Sequence, residues 1–330
     1  MRDITVLSGG NGTAALLRGL LRTITSGTLP HVDTDARVTV VVNTADDLWV
    51  HGLKACPDLD TLMYALSEAA ANGRADVSTQ NVSTELAAYG VEPRWFGLDD
   101  RDVATHLVRT EMLDAGYPLS AVTEALCRRW NPGVRLLPMT DDRVEAHVAV
   151  ADPDSPSGRR VVHLQEYRRR LEAAVPVEAV AFVGLDRATP APGVVEAVTE
   201  ADLVLLAPSD PVVSLGPVLD VAGVREALRT TKARVVGISP VSAGTPAPAA
   251  LRQVLAASRL EASAAAVGRH FGARRTGGLL DGWVVDDSDA ADVAALQVAG
   301  LDVATAPVAT DSPEAAATVA ATALALIAGR

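Results

Sequence analysis

Four carboxylates, Asp46, Asp47, Asp58 and Asp60, fall within fifteen residues of one another. They follow Val38-Thr39-Val40-Val41-Val42, an apolar run that reads as a buried strand. Acids crowded at the end of such a strand repel each other unless positive charge sits among them. A hard divalent cation with oxygen ligands is the simplest partner, and such a cation usually brings phosphates with it. The chemistry this predicts is phosphoryl transfer. On residue types alone a second role stays open, that of surface capping and turn aspartates. Asp58 is placed to cap the next helix, and Asp60 in its first turn lies near the positive end of the helix dipole.

Other polar groups stand where a ligand would need them. Ser8-Gly9-Gly10-Asn11-Gly12-Thr13 joins the first strand to the first helix, and glycines there let backbone N–H groups approach an anion. This is neither a Walker A loop nor a full dinucleotide fingerprint, so a tight structural turn is the alternative. Pro208-Ser209-Asp210-Pro211-Val212-Val213-Ser214-Leu215-Gly216-Pro217 follows another apolar run, and Ser239-Pro240-Val241-Ser242-Ala243-Gly244 repeats the plan one strand later. Polar loops after neighbouring strands describe a nucleotide crevice. His106 and Arg109 share a helix face at i and i+3. Arg109 is a candidate clamp for phosphate or carboxylate. His106 is either a general base or a structural histidine. Asp141 and Asp142 form a further adjacent pair after the run Leu136-Leu137.

Alternating strand and helix signals must position these groups. Strands are expected at Ile4–Leu7, Val38–Val42, Val180–Val183, Leu203–Leu206, Val235–Ile238 and Gly282–Val285. Helices are expected at about Thr13–Thr25, from Asp58 to about Ala71, and at Pro192–Glu200, Gly223–Thr230, Ala247–Ala257 and Glu261–Phe271. The rhythm predicts an α/β fold, a Rossmann-like, doubly wound and mostly parallel sheet. Between them lie two helical patterns, Asp102–Ala115 and Ser120–Trp130, and a β-hairpin candidate, Val144–Val150 with Val161–Leu164. The expected organisation is one core, 1–73 and 175–330, with a mainly helical and hairpin insertion, 74–174.

Composition narrows the partners. With 29 basic against 41 acidic residues the net charge is −12, which disfavours nucleic acid and anionic membrane. Arg168-Arg169-Arg170 reads as a solvated helix end or a local anion contact. Cys56 and Cys127 have no metal-type spacing and suggest buried thiols. No apolar run is long enough to span a bilayer, and the Ala-rich stretch Glu314–Ile327 reads as a packed helix. The chain enters a strand almost at once, without signal-peptide design, so the expectation is a soluble cytoplasmic protein.

The order of these motifs resembles the CofD/FbiA family, the 2-phospho-L-lactate transferases of coenzyme F420 biosynthesis. The landmarks are Ser8–Thr13, Asn43-Thr44-Ala45-Asp46-Asp47-Leu48-Trp49, Cys56-Pro57-Asp58-Leu59-Asp60-Thr61, Trp95-Phe96-Gly97-Leu98-Asp99-Asp100-Arg101-Asp102, Ala104–Thr110 and Leu137–Arg143. They continue through His163-Leu164-Gln165-Glu166-Tyr167 and Pro208–Gly216 to Gly277–Trp283. The resemblance implies a homodimer that requires magnesium. It also implies transfer of a phosphoenolpyruvyl or phospholactyl group from a GDP-linked donor to the deazaflavin Fo, with GMP leaving. Asp46, Asp47 and Asp60 would form the catalytic and metal cluster, with Asp60 also near the deazaflavin. Gly9, Gly10, Gly12, Thr13, Gly97, His106, Arg109, Ser209, Ser214 and Gly216 would contact the substrates.

Some segments depart from the family pattern. Gly73–Thr79 replaces a Trp-Gly-rich stretch, and Arg168 follows Tyr167 in place of a second aromatic residue. Asp210 stands where the pattern has Asn, and Thr245-Pro246-Ala247-Pro248 replaces a basic segment. The last two changes are expected to weaken diphosphate binding by about 1–3 kcal/mol each if buried. Two other readings follow. One keeps the reaction and changes the donor or acceptor. The other is a non-catalytic nucleotide- or nucleotide-sugar-binding regulator, resembling the gluconeogenesis-factor branch of the superfamily. Pro57-Asp58-Leu59-Asp60 favours the deazaflavin branch.

Overall fold

Short runs of β-branched and leucine residues with no polar face can be buried only by covering a sheet on both sides, and parallel strands meet that need. The computed structural model describes residues 1–10, 12–29, 31–67, 79–308 and 312–326. Its strands are β1 Asp3–Ser8, β2 Arg37–Val42, β3 Leu48–Val50, β4 Leu53–Ala55, β5 Arg135–Pro138, β6 Glu145–Ala151, β7 Arg159–His163, β8 Val177–Val183, β9 Leu203–Leu206, β10 Arg234–Ile238, β11 Gly282–Asp286 and β12 Asp302–Ala306. Seven of them form one parallel sheet in the order β12-β11-β10-β9-β1-β2-β5. The fold is α/β and doubly wound, as the alternation of elements predicts.

Side-chain alternation along each strand divides the core in two. Val6, Val40 and Leu205 point to one face, where Leu16, Leu17 and Leu20 of helix α1, Gly12–Thr25, pack with Val319 and Ala320 of the helix Pro313–Ala325. Leu7, Val41, Val204 and Leu206 point to the other face, against Val194, Val218 and Leu228. The two helices of the first face lie very close. A Cβ on Gly19 would stand 2.4 Å from the carbonyl carbon of Ala316.

β1 pairs with β2 on one side and β9 on the other, so successive crossovers diverge between β1 and β9. This is the topological switch point, where the loops after the two strands part and leave a crevice.

The structure corrects several expectations. β8 does not resume the parallel rhythm but joins β6 and β7 in a separate antiparallel sheet ordered β7-β6-β8. Along β6, Ala146, Val148 and Val150 are buried while the residues between them are partly exposed, the signature of a one-sided sheet. β5 belongs to the parallel sheet although it lies within the span 74–174, and β8 extends the hairpin sheet past residue 175. Helix α2, Pro57–Ala65, stops short of Ala71, and residues 68–78 lie outside the described part. The helices Asn81–Ala88, Asp100–Asp114 and Leu119–Trp130 stand between α2 and β5. Among the described residues no helix is long and apolar enough to cross a membrane.

The contact at Gly19 yields a direct test of the packing. Gly19→Ala is expected to lower stability by about 1–3 kcal/mol in urea denaturation, the scale of core overpacking. An unchanged midpoint would contradict the close helix approach.

Candidate active site

The glycine turn after β1 is shaped by what lies against it. A Cβ on Gly9 would stand 2.5 Å from Ser214 Cβ, and one on Gly12 would stand 2.8 Å from the carbonyl oxygen of Pro208. Gly10 has φ +84, a left-handed conformation that side chains disfavour. The loop after β9 is thus seated on the turn. Ser209 fastens the two: its Oγ accepts from the Gly9 N–H at 3.2 Å and lies 3.1 Å from Thr13 Oγ1. Gly216 lies in the first turn of the helix Leu215–Asp220, where a Cβ would come within 3.2 Å of the Pro211 carbonyl oxygen.

These loops bound a cleft of about 510 Å³ above the switch point. Gly9, Gly10, Gly12, Ser209 and Ser214 form one wall, and Asp58 and Thr61 of α2 another. Gln165, Arg168 and Arg169 enter from the short helix Leu164–Arg169 after β7, and Pro240, Pro248 and Leu251 close the far side. A larger hollow of about 790 Å³ lies at the opposite, amino ends of β1, β2 and β5. Asp3 and Glu124 there are ion-paired to Arg37 and Arg128 at the surface. The smaller cleft, with its buried acids and glycine cradle, is the better candidate for chemistry.

The four acids occupy two tiers. In the inner tier Asp60 has both oxygens engaged. Arg109 binds it bidentately, His106 Nε2 lies 3.1 Å from Oδ2, and the Cys56 N–H donates at 3.4 Å. Burial alone would raise the Asp60 pKa, but Arg109 and the His106 hydrogen bond outweigh it and hold the carboxyl below its ordinary value. Asp47 Oδ2 accepts from Cys56 Sγ at 3.0 Å and pairs with Lys54 Nζ at 3.4 Å. Lys54 reaches it because β3 and β4 turn back through His51 and Gly52, both at positive φ, the geometry of a two-residue hairpin. Burial still pushes the Asp47 carboxyl up.

In the outer tier Asp58 lines the cleft, and Asp46 lies buried behind the lining residues Gln165 and Arg168. Asp46 Oδ2 accepts from Gln165 Nε2 at 3.1 Å and pairs with Arg168 Nη1. Asp58 accepts from Asn43 Nδ2 at 2.9 Å. It is not the helix cap that its position suggests. Pro57 occupies the first helical position and moves the N-cap to Cys56, leaving Asp58 inside the first turn. Burial, then the nearby charge of Asp46, pushes the Asp58 carboxyl up to about 7. Ser8 Oγ, Thr44 Oγ1, Asp46 Oδ1 and Asp47 Oδ1 are buried without a hydrogen-bond partner among the described residues. Orphaned oxygens at the ends of β1 and β2 are what a bound cation or its waters would satisfy.

No cluster of three His, Cys, Asp or Glu side chains arranged to hold a metal occurs among the described residues. Magnesium takes one or two carboxylates and fills its octahedron with water and substrate phosphate, a donor set that the orphaned oxygens of Asp46 and Asp47 fit. Zinc or calcium would need more protein ligands.

Other residues singled out in the sequence serve the frame. His106 and Arg109 are 3% and 1% exposed and sit beneath the cleft on Asp60. Gly97 is exposed with open space around it, beside Phe96 and Leu98, which pack on β3 and β4. Asp141 accepts from Ser120 N–H and Oγ at the start of the helix Leu119–Trp130, and Asp142 ties down Thr189. Ser239 Oγ donates to the Val241 carbonyl, and Trp283 is a core side chain. Asp210 Oδ1 accepts from the N–H groups of Val212 and Val213, so its carboxylate braces its own loop.

Residue types alone overlooked Gln165 and left Arg168 with two roles. Arg168 is a partly buried ion pair of the cleft, Arg169 lies over the Phe96 ring at 4.6 Å, and Arg170 pairs with Glu166. The signal lay in the place of the basic run, at the end of a short helix that follows β7.

Comparison with known proteins adds three findings. The family model described as "2-phospho-L-lactate transferase CofD" matches residues 4–325. Proteins named phosphoenolpyruvate transferase are similar over most of the chain. That of Mycolicibacterium smegmatis is 52% identical over 87% of this chain and 89% of its own length, and that of Streptomyces coelicolor is 54% identical over 87% and 86%. The Kitasatospora aureofaciens protein of the same name is 51% identical over 98% and 97%. Among solved structures, the Bacillus halodurans protein BH3568, a UPF0052 family member, superposes with TM-score 0.55 at 19% identity over 92% of both chains, a likeness of fold.

Two experiments follow from the acid tiers. Arg109→Met strands a buried Asp60 charge and is expected to cost about 3–5 kcal/mol in denaturant melts, with Arg109→Met/Asp60→Asn recovering part of it. A loss confined to a few tenths would contradict the pairing. Asp58 sets a pH dependence. With its carboxyl raised to about 7, the folded chain keeps a proton that the unfolded chain releases from about pH 4 upward. The stability of that neutral form is complete below about pH 4 and is lost as pH rises through about 7. Asp58→Asn in metal-free buffer is therefore expected to raise Tm at pH 8 and to converge with the parent toward pH 4. A pH-independent difference would contradict it.

Proposed function

Because the chain belongs to the CofD family of 2-phospho-L-lactate transferases, we propose that it moves a phosphoenolpyruvyl group from a GDP-linked donor to the deazaflavin Fo. The products are dehydro-F420-0 and GMP, or F420-0 where the donor carries lactate. The similarity to proteins named phosphoenolpyruvate transferase favours the enolpyruvyl donor. We further propose that the protein works as a cytoplasmic homodimer with magnesium. The single observation that carries the reading is the meeting of Asp58 and of Arg168, the ion-pair partner of buried Asp46, with Gly9, Gly10 and Gly12 and the Ser209–Ser214 loop in one cleft.

Each part of the cleft has a task in that reaction. The N-terminus of α1 and the glycine turn favour an anion, which suits the donor diphosphate. Ser209 holds the turn against the loop after β9, on the side proposed for the guanylate. Asp46 and Asp47, each with one unpartnered oxygen, would hold magnesium first. Asp60 would join them only by giving up part of its bond to Arg109. When bound, the metal supplies charge neutralisation on the diphosphate.

The ribityl hydroxyl of Fo attacks the phosphorus that bears the enolpyruvyl group. The bond from that phosphorus to the bridging oxygen breaks, and GMP leaves with the electron pair. Asp58 lines the cleft and has a pKa of about 7, the value that suits a group taking the hydroxyl proton. His106 and Arg109, beneath the cleft, keep Asp60 ionised and fixed.

The test is incubation with Fo, magnesium and the enolpyruvyl-diphosphate donor of guanosine, read by mass spectrometry. Dehydro-F420-0 and GMP are expected in equal amounts, with kcat falling by about 10²–10³ in Asp46→Asn, the scale of one lost electrostatic contact to a transition state. Absence of product, with tight nucleotide binding unaffected by Asp46→Asn, would instead support a non-catalytic nucleotide-binding protein.

A further inference from the structure

Asp46 and Asp60 are both buried and both ion-paired to arginine, but the two pairs differ in a way that matters. The side chains of Arg109 and Asp60 are only 2% and 7% exposed, both carboxylate oxygens are occupied, and Arg109 also donates to the Lys54 carbonyl. That guanidinium has no free volume to enter. Arg168 is 29% exposed and borders the cleft beside Gly9, Gly10 and Ser209. It occupies one oxygen of Asp46, shared with Gln165, while the other oxygen has no partner. Gln165 is itself held by Arg169, whose Nε donates to its Oε1 at 3.0 Å. Asp46 would therefore keep its orientation if Arg168 left.

The surroundings give Arg168 both a reason to stay and a place to go. Asp46, Asp58 and Asp210 all pull on its charge. In the free protein it is the cation nearest to the Asp46 carboxylate. A divalent ion on Asp46 would bring two positive charges next to the guanidinium and repel it. The adjoining glycine turn is where an anionic donor would place its phosphates, and guanidinium is suited to bind them. Pro248 closes the far side of this cleft, and the segment Thr245–Pro248 brings no cation of its own.

We propose that Arg168 is the exchangeable counter-ion of the site, neutralising Asp46 in the free protein and passing to the donor's phosphates when a divalent cation takes its place. The inference rests on the reading of Asp46 as a metal ligand. It makes metal and nucleotide binding mutually reinforcing, because each removes the obstacle to the other.

The test measures Mn²⁺ binding to the full chain by electron paramagnetic resonance, and GDP binding with and without Mn²⁺ by calorimetry. Arg168→Met is expected to bind Mn²⁺ alone about tenfold more tightly and GDP in the presence of Mn²⁺ about tenfold more weakly, the scale of one charged contact. Arg168→Lys, which keeps the charge, is expected to stay near the parent in both. A merely structural role would weaken both ligands. Parent and Arg168→Met binding Mn²⁺ equally, or GDP equally, overturns the exchange while leaving the metal reading in place. Failure of every variant to bind Mn²⁺, with the parent no better than Asp46→Asn, overturns the metal reading and this inference with it.

Discussion

Carboxylates brought together out of water repel strongly, so a fold that gathers four of them at the end of one strand must supply a partner for each. Here the partners come from four different parts of the chain. Arg109 arrives on the helix Asp100–Asp114, Lys54 on the β3–β4 hairpin, Asn43 from the end of β2, and Arg168 from the helix after β7. Each attachment fixes an element that the parallel sheet alone would leave loose. The helical segment is pinned through Arg109, and the antiparallel sheet through Gln165 and Arg168. Neutralising the acids and assembling the fold are in this sense the same event.

The partners also sort the acids by function. Asp47 and Asp60 sit behind short, dry contacts, where breaking a pair costs several kcal/mol. They form a floor whose charge pattern is set by folding. Asp58 lines the cleft with its carboxyl pushed up to about 7, and behind it Asp46 and Asp47 each keep one orphaned oxygen. Incomplete satisfaction at the mouth of a rigid floor is how a protein keeps a binding position open without losing its structure. The topology supplies the rest, since divergence of the crossovers at β1 and β9 opens space only above these residues.

Much of this was legible in residue order. β1, β2, β9, β10 and β11 announce themselves as apolar runs, and the hairpin of β6 and β7 by the turn-rich Asp152–Gly158. β5 and β12 do not. β5 is only four residues long and ends in proline, and β12 mixes polar and small residues because most of it is only partly buried at the sheet edge. β8 has strand composition, but nothing local says which neighbour it pairs with. The acids were visible as a group, whereas their partners were not. Arg109 lies 49 residues from Asp60 and Arg168 lies 122 from Asp46, separations set only by tertiary packing. Asp58 was misread for a local reason: proline at the first helical position moved the cap by two residues. That Thr245–Pro248 carries no cation was legible, but the entry of Arg168 into the same cleft from the helix after β7 was not.

The central claim is that the cleft above the switch point, and not the larger hollow at the amino ends of the strands, holds the metal and the donor. Crystals grown with GDP and Mn²⁺ test it most directly through the anomalous signal of manganese. The account requires a manganese peak bonded to Asp46 Oδ1, with the diphosphate against Gly9, Gly10 and Gly12. Manganese away from Asp46, or nucleotide seated among Asp3, Arg37 and Arg135 at the other end of the sheet, would contradict it.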